Sequence, residues 1–149
     1  MTTHTAPPPP LASPHLGTPA PAPVPAGDRE RLLAGTHHDP HSALGAHPVP
    51  DGTVFRALRP CALSVTVVIG DAWAELHDDG DGFFSALLPV RDVPDHRLLV
   101  AYPDTVQETD DPYRFLPALG DLDLHLIGEG RHEELWKALG AHPMTHQGV

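Results

Sequence analysis

The chain has 149 residues, 40% hydrophobic and 5% aromatic, which suits one ordinary domain and falls short of the roughly 200 residues or more of a (β/α)₈ barrel. Twenty acidic against nine basic residues give a formal net charge of −11, which excludes nucleic acid and an anionic membrane surface as expected partners. The single cysteine, Cys61, closes no internal disulfide, no apolar run approaches the ~18 residues of a membrane span, and no basic stretch precedes an apolar one at the start; a soluble cytoplasmic protein is expected.

Residues 1–27 hold nine of the nineteen prolines and no Asp, Glu, Lys or Arg. The run Pro7-Pro8-Pro9-Pro10 and the alternation Pro19-Ala20-Pro21-Ala22-Pro23 favour polyproline II, which buries little, so a disordered Pro/Ala-rich leader is expected there. Asp28 is placed to cap a short helix over 29–34, and Gly35 to end it. Strands are predicted at 53–58, 63–69, 72–77, 83–88 and 96–102, with a sixth at 106–108; Asp78-Asp79-Gly80-Asp81-Gly82 reads as a hairpin loop. Short strands at this spacing predict a mainly β fold over 28–110, a small antiparallel Ig-like β-sandwich with short flanking helices. From Asp111-Pro112 onward the texture changes. Residues 121–127 and 131–139 read as helical, Leu135, Trp136 and Leu139 sharing a face, and 111–149 reads as a connecting segment.

Candidate chemistry is sparse. His37, His38 and His41 form the densest histidine group, but Asp39-Pro40 interrupts it, no CxxC or HExxH completes a shell, and no metal site or cofactor is expected. A calcium loop starting at Asp78 or Asp79 would need Glu at its twelfth position and meets Pro89 or Val90. No GxSxG elbow or phosphate loop is present, Cys61 reads as a structural thiol at a strand start, and Asp110-Asp111 lies in a connection. No catalytic residue is therefore assigned. Of eight aromatic residues most are expected in the core; Trp73 is the best candidate for an exposed platform under a sugar ring, though core packing is the favoured reading for it too.

Several runs resemble a known family. Leu33-Ala34-Gly35, Asp39-Pro40 and Leu44-Gly45-Ala46-His47 are similar to the opening of bacterial glycogen branching enzymes (1,4-α-glucan branching enzymes). Residues 54–60 resemble that family's first long strand, and Gly82-Phe83-Phe84-Ser85 with Leu88-Pro89 its central hairpin. The most specific match is Asp111-Pro112-Tyr113-Arg114-Phe115, followed by Asp121-Leu122-Asp123, Gly128-Glu129-Gly130 and Leu139-Gly140-Ala141-His142. The resemblance covers 30–149, and the leader is similar to those of high-GC actinobacterial members; Pro143-Met144-Thr145-His146-Gln147 departs from the family's pattern.

The resemblance implies a non-catalytic N-terminal domain of a branching enzyme. Its parent would cut an α-1,4-glucan and rejoin the segment through an α-1,6 bond, with glycogen as partner. The segment from Asp111 would lead through Gly148-Val149 toward a carbohydrate-binding module and a catalytic barrel, with which this domain would make contact. The alternative is a stand-alone sandwich that binds glucan or another protein without turnover.

Overall fold

The computed structural model describes residues 19–115, 119–141, 143 and 145, so residues 1–18 of the leader expected over 1–27 lie outside the described residues. The chain divides into two compact units, Met1–Phe115 and Leu116–Val149.

The first unit holds a helix, α1 (Ala26–Ala34), a 3₁₀ turn at Pro40–Ser42 and eight strands: β1 (Gly45–Val49), β2 (Gly52–Leu58), β3 (Ser64–Ile69), β4 (Ala72–Glu75), β5 (His77–Gly80), β6 (Phe83–Leu88), β7 (Arg97–Tyr102) and β8 (Thr105–Asp110). They form two antiparallel sheets ordered β1-β2-β6-β5 and β4-β3-β7-β8. The expected sandwich is therefore present. Its core follows from two-residue alternation: Phe55 and Ala57 of β2 and Phe84, Ala86 and Leu88 of β6 meet Val65, Val67, Ala74, Leu98 and Val100 of the other sheet. Register sets Phe55 beside Ala86 and Ala57 beside Phe84, a large ring next to a methyl each time.

Phe83 and Phe84 are consecutive and thus face opposite sides of β6, yet both are buried. Phe83 lies in a second, smaller core with Val24, Ala43 and Leu44, flanked by Leu32, Leu58 and Tyr113. The outer face of the first sheet is consequently covered by the chain that precedes it. Polar ties hold this cover down. Arg56 Nη2 donates to the Ala22 carbonyl (2.8 Å), and the Pro19 carbonyl accepts from Leu87 N–H (3.2 Å). Arg29 Nη2 donates to the carbonyls of Asp79 (3.0 Å) and Gly80 (2.7 Å) and to the Asp81 carboxylate (2.9 Å), while its guanidinium sits 4.6 Å from the centre of the Phe83 ring. The packed body therefore starts before Asp28: described residues 19–27 lie on the sheet or in α1, because Val24 supplies apolar surface that Phe83 needs.

Local departures from the predicted elements have physical causes. Asp28 is not the helix cap. Pro25 occupies that position, and the Asp28 carboxylate binds Arg31 (2.6 Å) and His37 (3.1 Å), which together hold its pKa below the ordinary aspartate value. The single strand expected at 72–77 is two strands in different sheets, since the chain crosses the core at buried Leu76. The hairpin turn narrows to Asp81-Gly82, both at positive φ, with a register shift between Asp78 and Gly80, so Asp78 and Asp79 belong to β5. Strand β1 is an addition; it tolerates Pro48 because it lies at the sheet edge. Cys61 is exposed, at positive φ in the turn before β3, and is not a packed thiol.

The second unit contains α2 (Asp121–Gly128) and α3 (Trp136–Leu139). The helix expected over 131–139 is reduced to its last four residues. His132 Nε2 contacts Asp123 Oδ1 (2.6 Å), and 133–135 form a turn. Asp123 also accepts the Gly120 N–H (2.9 Å); His132 first, then that N–H, holds its carboxyl below the ordinary range.

If the cover is part of the fold, Leu44→Ala lowers the unfolding free energy by about 2–5 kcal/mol, while Leu63→Ala, at a 64% exposed position, changes it by less than about 0.5 kcal/mol. Urea denaturation reads both; equal effects would contradict the assignment.

Candidate functional site

Trp73 is the one aromatic side chain singled out for a ligand, and β4 sets its surroundings. In register, Trp73 faces Val68 of β3, and Val68 in turn faces Arg97 of β7. Their neighbours along the strands, Ala74, Val67 and Leu98, are core residues, so alternation puts Trp73, Val68 and Arg97 in one row on the outer face of the second sheet. A parallel row runs Glu75, Thr66, Leu99, Glu108. Arg97 Nη1 donates to Glu108 Oε1 (3.0 Å), and its Nε lies 3.8 Å from Asp110 Oδ1. Trp73 is half-buried there, outside both hydrophobic cores.

The remaining sequence candidates are engaged elsewhere. His37 Nδ1 accepts the Asp39 N–H (3.1 Å), which leaves the ring proton on Nε2, facing Asp28. His41 Nε2 contacts the Phe115 carbonyl (3.1 Å), and its ring meets Tyr113 edge-on at 5.1 Å. His38 is exposed. Among the described residues, no group of three or more His, Cys, Asp or Glu is arranged to hold a metal ion. In the acidic hairpin, Ser85 Oγ donates to Asp79 and Arg29 binds Asp81, so a guanidinium supplies the positive charge. Asp110 and Asp111 separate, the first exposed and the second buried.

Sequence reasoning missed what Asp111 does. Its Oδ1 accepts the Tyr113 N–H (3.0 Å), capping a 3₁₀ turn at Pro112–Arg114 whose first residue is proline. Its Oδ2 lies 3.2 Å from Nε2 of His96, a fully enclosed side chain. His96 Nδ1 lies 2.8 Å from the Pro94 carbonyl, and the Phe55 ring meets the imidazole edge-on at 5.0 Å. A carbonyl only accepts, so both ring nitrogens face acceptors and the geometry favours the imidazolium. Burial opposes that charge and nearby Arg114 adds to the opposition. The Asp111 carboxylate and the Pro94 carbonyl outweigh both and hold the His96 pKa above the ordinary imidazole value. Arg114 itself donates to the His96 carbonyl (2.9 Å) and pairs with Asp95, so the start of β7 and the chain leaving β8 are locked together. An Asp-Pro pair is a readable signal for such a cap; His96 carried none.

The fold and the site define an acidic two-sheet β-sandwich domain with a tied exit segment and a half-buried indole on one sheet face. Comparison with known proteins places it. The family described as alpha-1,4-glucan branching enzyme GlgB, N-terminal domain, matches residues 25–113, and the chain belongs to that family. It is 71% identical over 130 residues to 1,4-alpha-glucan branching enzyme GlgB 1 of Streptomyces coelicolor, covering 87% of this chain and 17% of that protein. Identity is 75% over 122 residues to GlgB 1 of Streptomyces avermitilis (82% and 15%). It is 62% over 138 residues to GlgB of Kitasatospora aureofaciens (93% and 18%). The chain thus spans less than a fifth of each of these relatives. No helix among the described residues is long and apolar enough to cross a membrane.

Because folding raises the His96 pKa, the charged pair contributes fully below the unfolded imidazole value, and its contribution fades as pH rises through the elevated folded value. The stability gap between the unaltered chain and His96→Gln is therefore expected to be wider near pH 6 than near pH 9 in urea titrations. A gap independent of pH, or one that widens with alkali, would contradict the charged pairing.

Proposed function

We propose that this chain acts as the non-catalytic N-terminal domain of a cytoplasmic glycogen branching enzyme, whose whole transfers α-1,4-glucan segments to form α-1,6 branches. The observation that carries this reading is the family match over 25–113, which spans the whole packed sandwich from α1 to the Asp111 cap. The branching activity belongs to the longer protein; no residue here is assigned to its chemistry.

In this reading the sandwich expected at 28–110, together with the cover that precedes it, forms the domain proper, and the chain beyond it leads on toward a carbohydrate-binding module and a catalytic domain, with which it makes contact. Trp73 is the side chain offered to a glucan ring. Indole surface half-exposed beside Val68 suits the C–H face of a sugar, and Arg97 and Glu75 nearby suit its hydroxyls. Laying a donor chain along this sheet would influence the length of segment transferred without touching the bond that reacts.

The test is a domain exchange in the full-length Streptomyces coelicolor relative, whose matching segment is 71% identical. Replacing that segment by this chain should keep both branching and the branch-length profile. Deleting it should shift the profile while branching persists, and Trp73→Ala in the exchanged protein should shift it in the same direction. A deletion that leaves profile and solubility unchanged would overturn the accessory role.

A further inference from the structure

The sandwich is left open along β8. Gln107 lies across from Val100 and Thr109 across from Leu98, and both partners are core residues. Gln107 and Thr109 therefore occupy the core-facing side of their strand, where valine or leucine would seal the two sheets together. Instead a cleft of about 330 Å³ opens there, lined by Arg59, Val100, Tyr102, Gln107, Thr109 and Asp110. This volume is at the small end of the roughly 300–1,000 Å³ typical of ligand clefts.

The lining combines two kinds of surface. Tyr102, packed against the main core, and buried Val100 provide a fixed apolar floor. Around it stand the Gln107 amide, the Arg59 guanidinium and the Thr109 hydroxyl, which donates to the Asp110 carbonyl (3.2 Å) and keeps its acceptor capacity, while alternation puts the Asp110 carboxylate on the outer face with Arg97. Among the described residues the Arg59 guanidinium has no carboxylate within ion-pair distance, and the Gln107 amide and the Tyr102 hydroxyl have no hydrogen-bond partner. Hydrogen-bonding capacity is thus held ready on a rigid floor. The chain as a whole carries −11, so an anionic ligand is disfavoured. Flat C–H faces flanked by many hydroxyls are what an aromatic floor with a polar rim accepts.

We infer that this cleft is a subsite for a short stretch of neutral oligosaccharide, which, if the proposed function holds, is α-1,4-glucan. Tyr102 is the floor, and Gln107, Thr109 and Arg59 bind hydroxyls. The subsite is separate from Trp73, which lies on β4 at the opposite edge of the same sheet.

Titrating the ¹⁵N-labelled chain with maltoheptaose tests this. Saturable shifts are expected at Tyr102, Gln107 and Thr109, retained in Trp73→Ala. In a Gln107→Ala, Thr109→Val variant with unchanged thermal midpoint, the response should weaken about tenfold, as the loss of two neutral hydrogen bonds implies. Shifts confined to the Trp73 face would overturn the cleft subsite and leave the accessory role standing. Absence of any saturable shift would also overturn the cleft, while the branch-length profile after domain deletion decides the accessory role independently.

Discussion

Strand β6 is buried on both faces, and much of the first unit follows from that constraint. Its inward side, Phe84, Ala86 and Leu88, is ordinary sandwich core. Its outward side begins with Phe83, and leaving a phenylalanine in water forfeits about 1.5–3 kcal/mol relative to burying it. Val24, Leu32, Ala43 and Leu44 bury it, which draws the chain before β1 onto the sheet. α1 has no fully buried residue of its own, so its place depends on Leu32 at its edge and on Arg29 clasping the β5–β6 hairpin. The family match starts at residue 25, so it takes in α1 and the sandwich and begins one residue after Val24 of the cover.

The opposite end of the unit is fixed by charge. His96 and Asp111 tie the entry of β7 to the exit of β8, and Arg114 adds a second tie through the His96 carbonyl. A buried charged pair is a weak source of net stability but a geometrically demanding one, so it sets the direction in which the chain leaves the sandwich. For a domain proposed to stand ahead of a larger enzyme, a defined exit is the property that matters. Burial of the pair also disposes of Asp111 as a catalytic group: it is a structural anchor with no open face toward a substrate.

Much of the architecture was legible in the sequence because alternation and turn residues announce it. The strands at 53–58, 63–69, 83–88 and 96–102 reappear within a residue or so at each end, and Gly35 ends α1 in a left-handed conformation as expected. What could not be read were features set by contacts distant in sequence. The sheet change at Leu76 has no glycine or proline to mark it, so β4 and β5 read as one strand. Val24 sits in a run of proline and alanine that looks unstructured until Phe83 is known to need a partner. Asp28 has the right identity for a helix cap, but the helix starts two residues earlier, at Ala26, which puts Asp28 in the first turn, where its carboxylate binds Arg31 and His37. The cleft beside β8 was hidden for the opposite reason: Gln107 and Thr109 look like solvent-facing residues until pairing with Val100 and Leu98 reveals which way they face.

The central claim is that this sandwich works as one part of a longer branching enzyme. It is tested most directly by the size of the native polypeptide that carries these peptides, separated under denaturing conditions from a lysate and identified by mass spectrometry. The account predicts a single chain several times longer than 149 residues, since the matched segment makes up only 15–18% of the relatives. A species at 16.0 kDa as the sole product would contradict it and make the sandwich a protein in its own right.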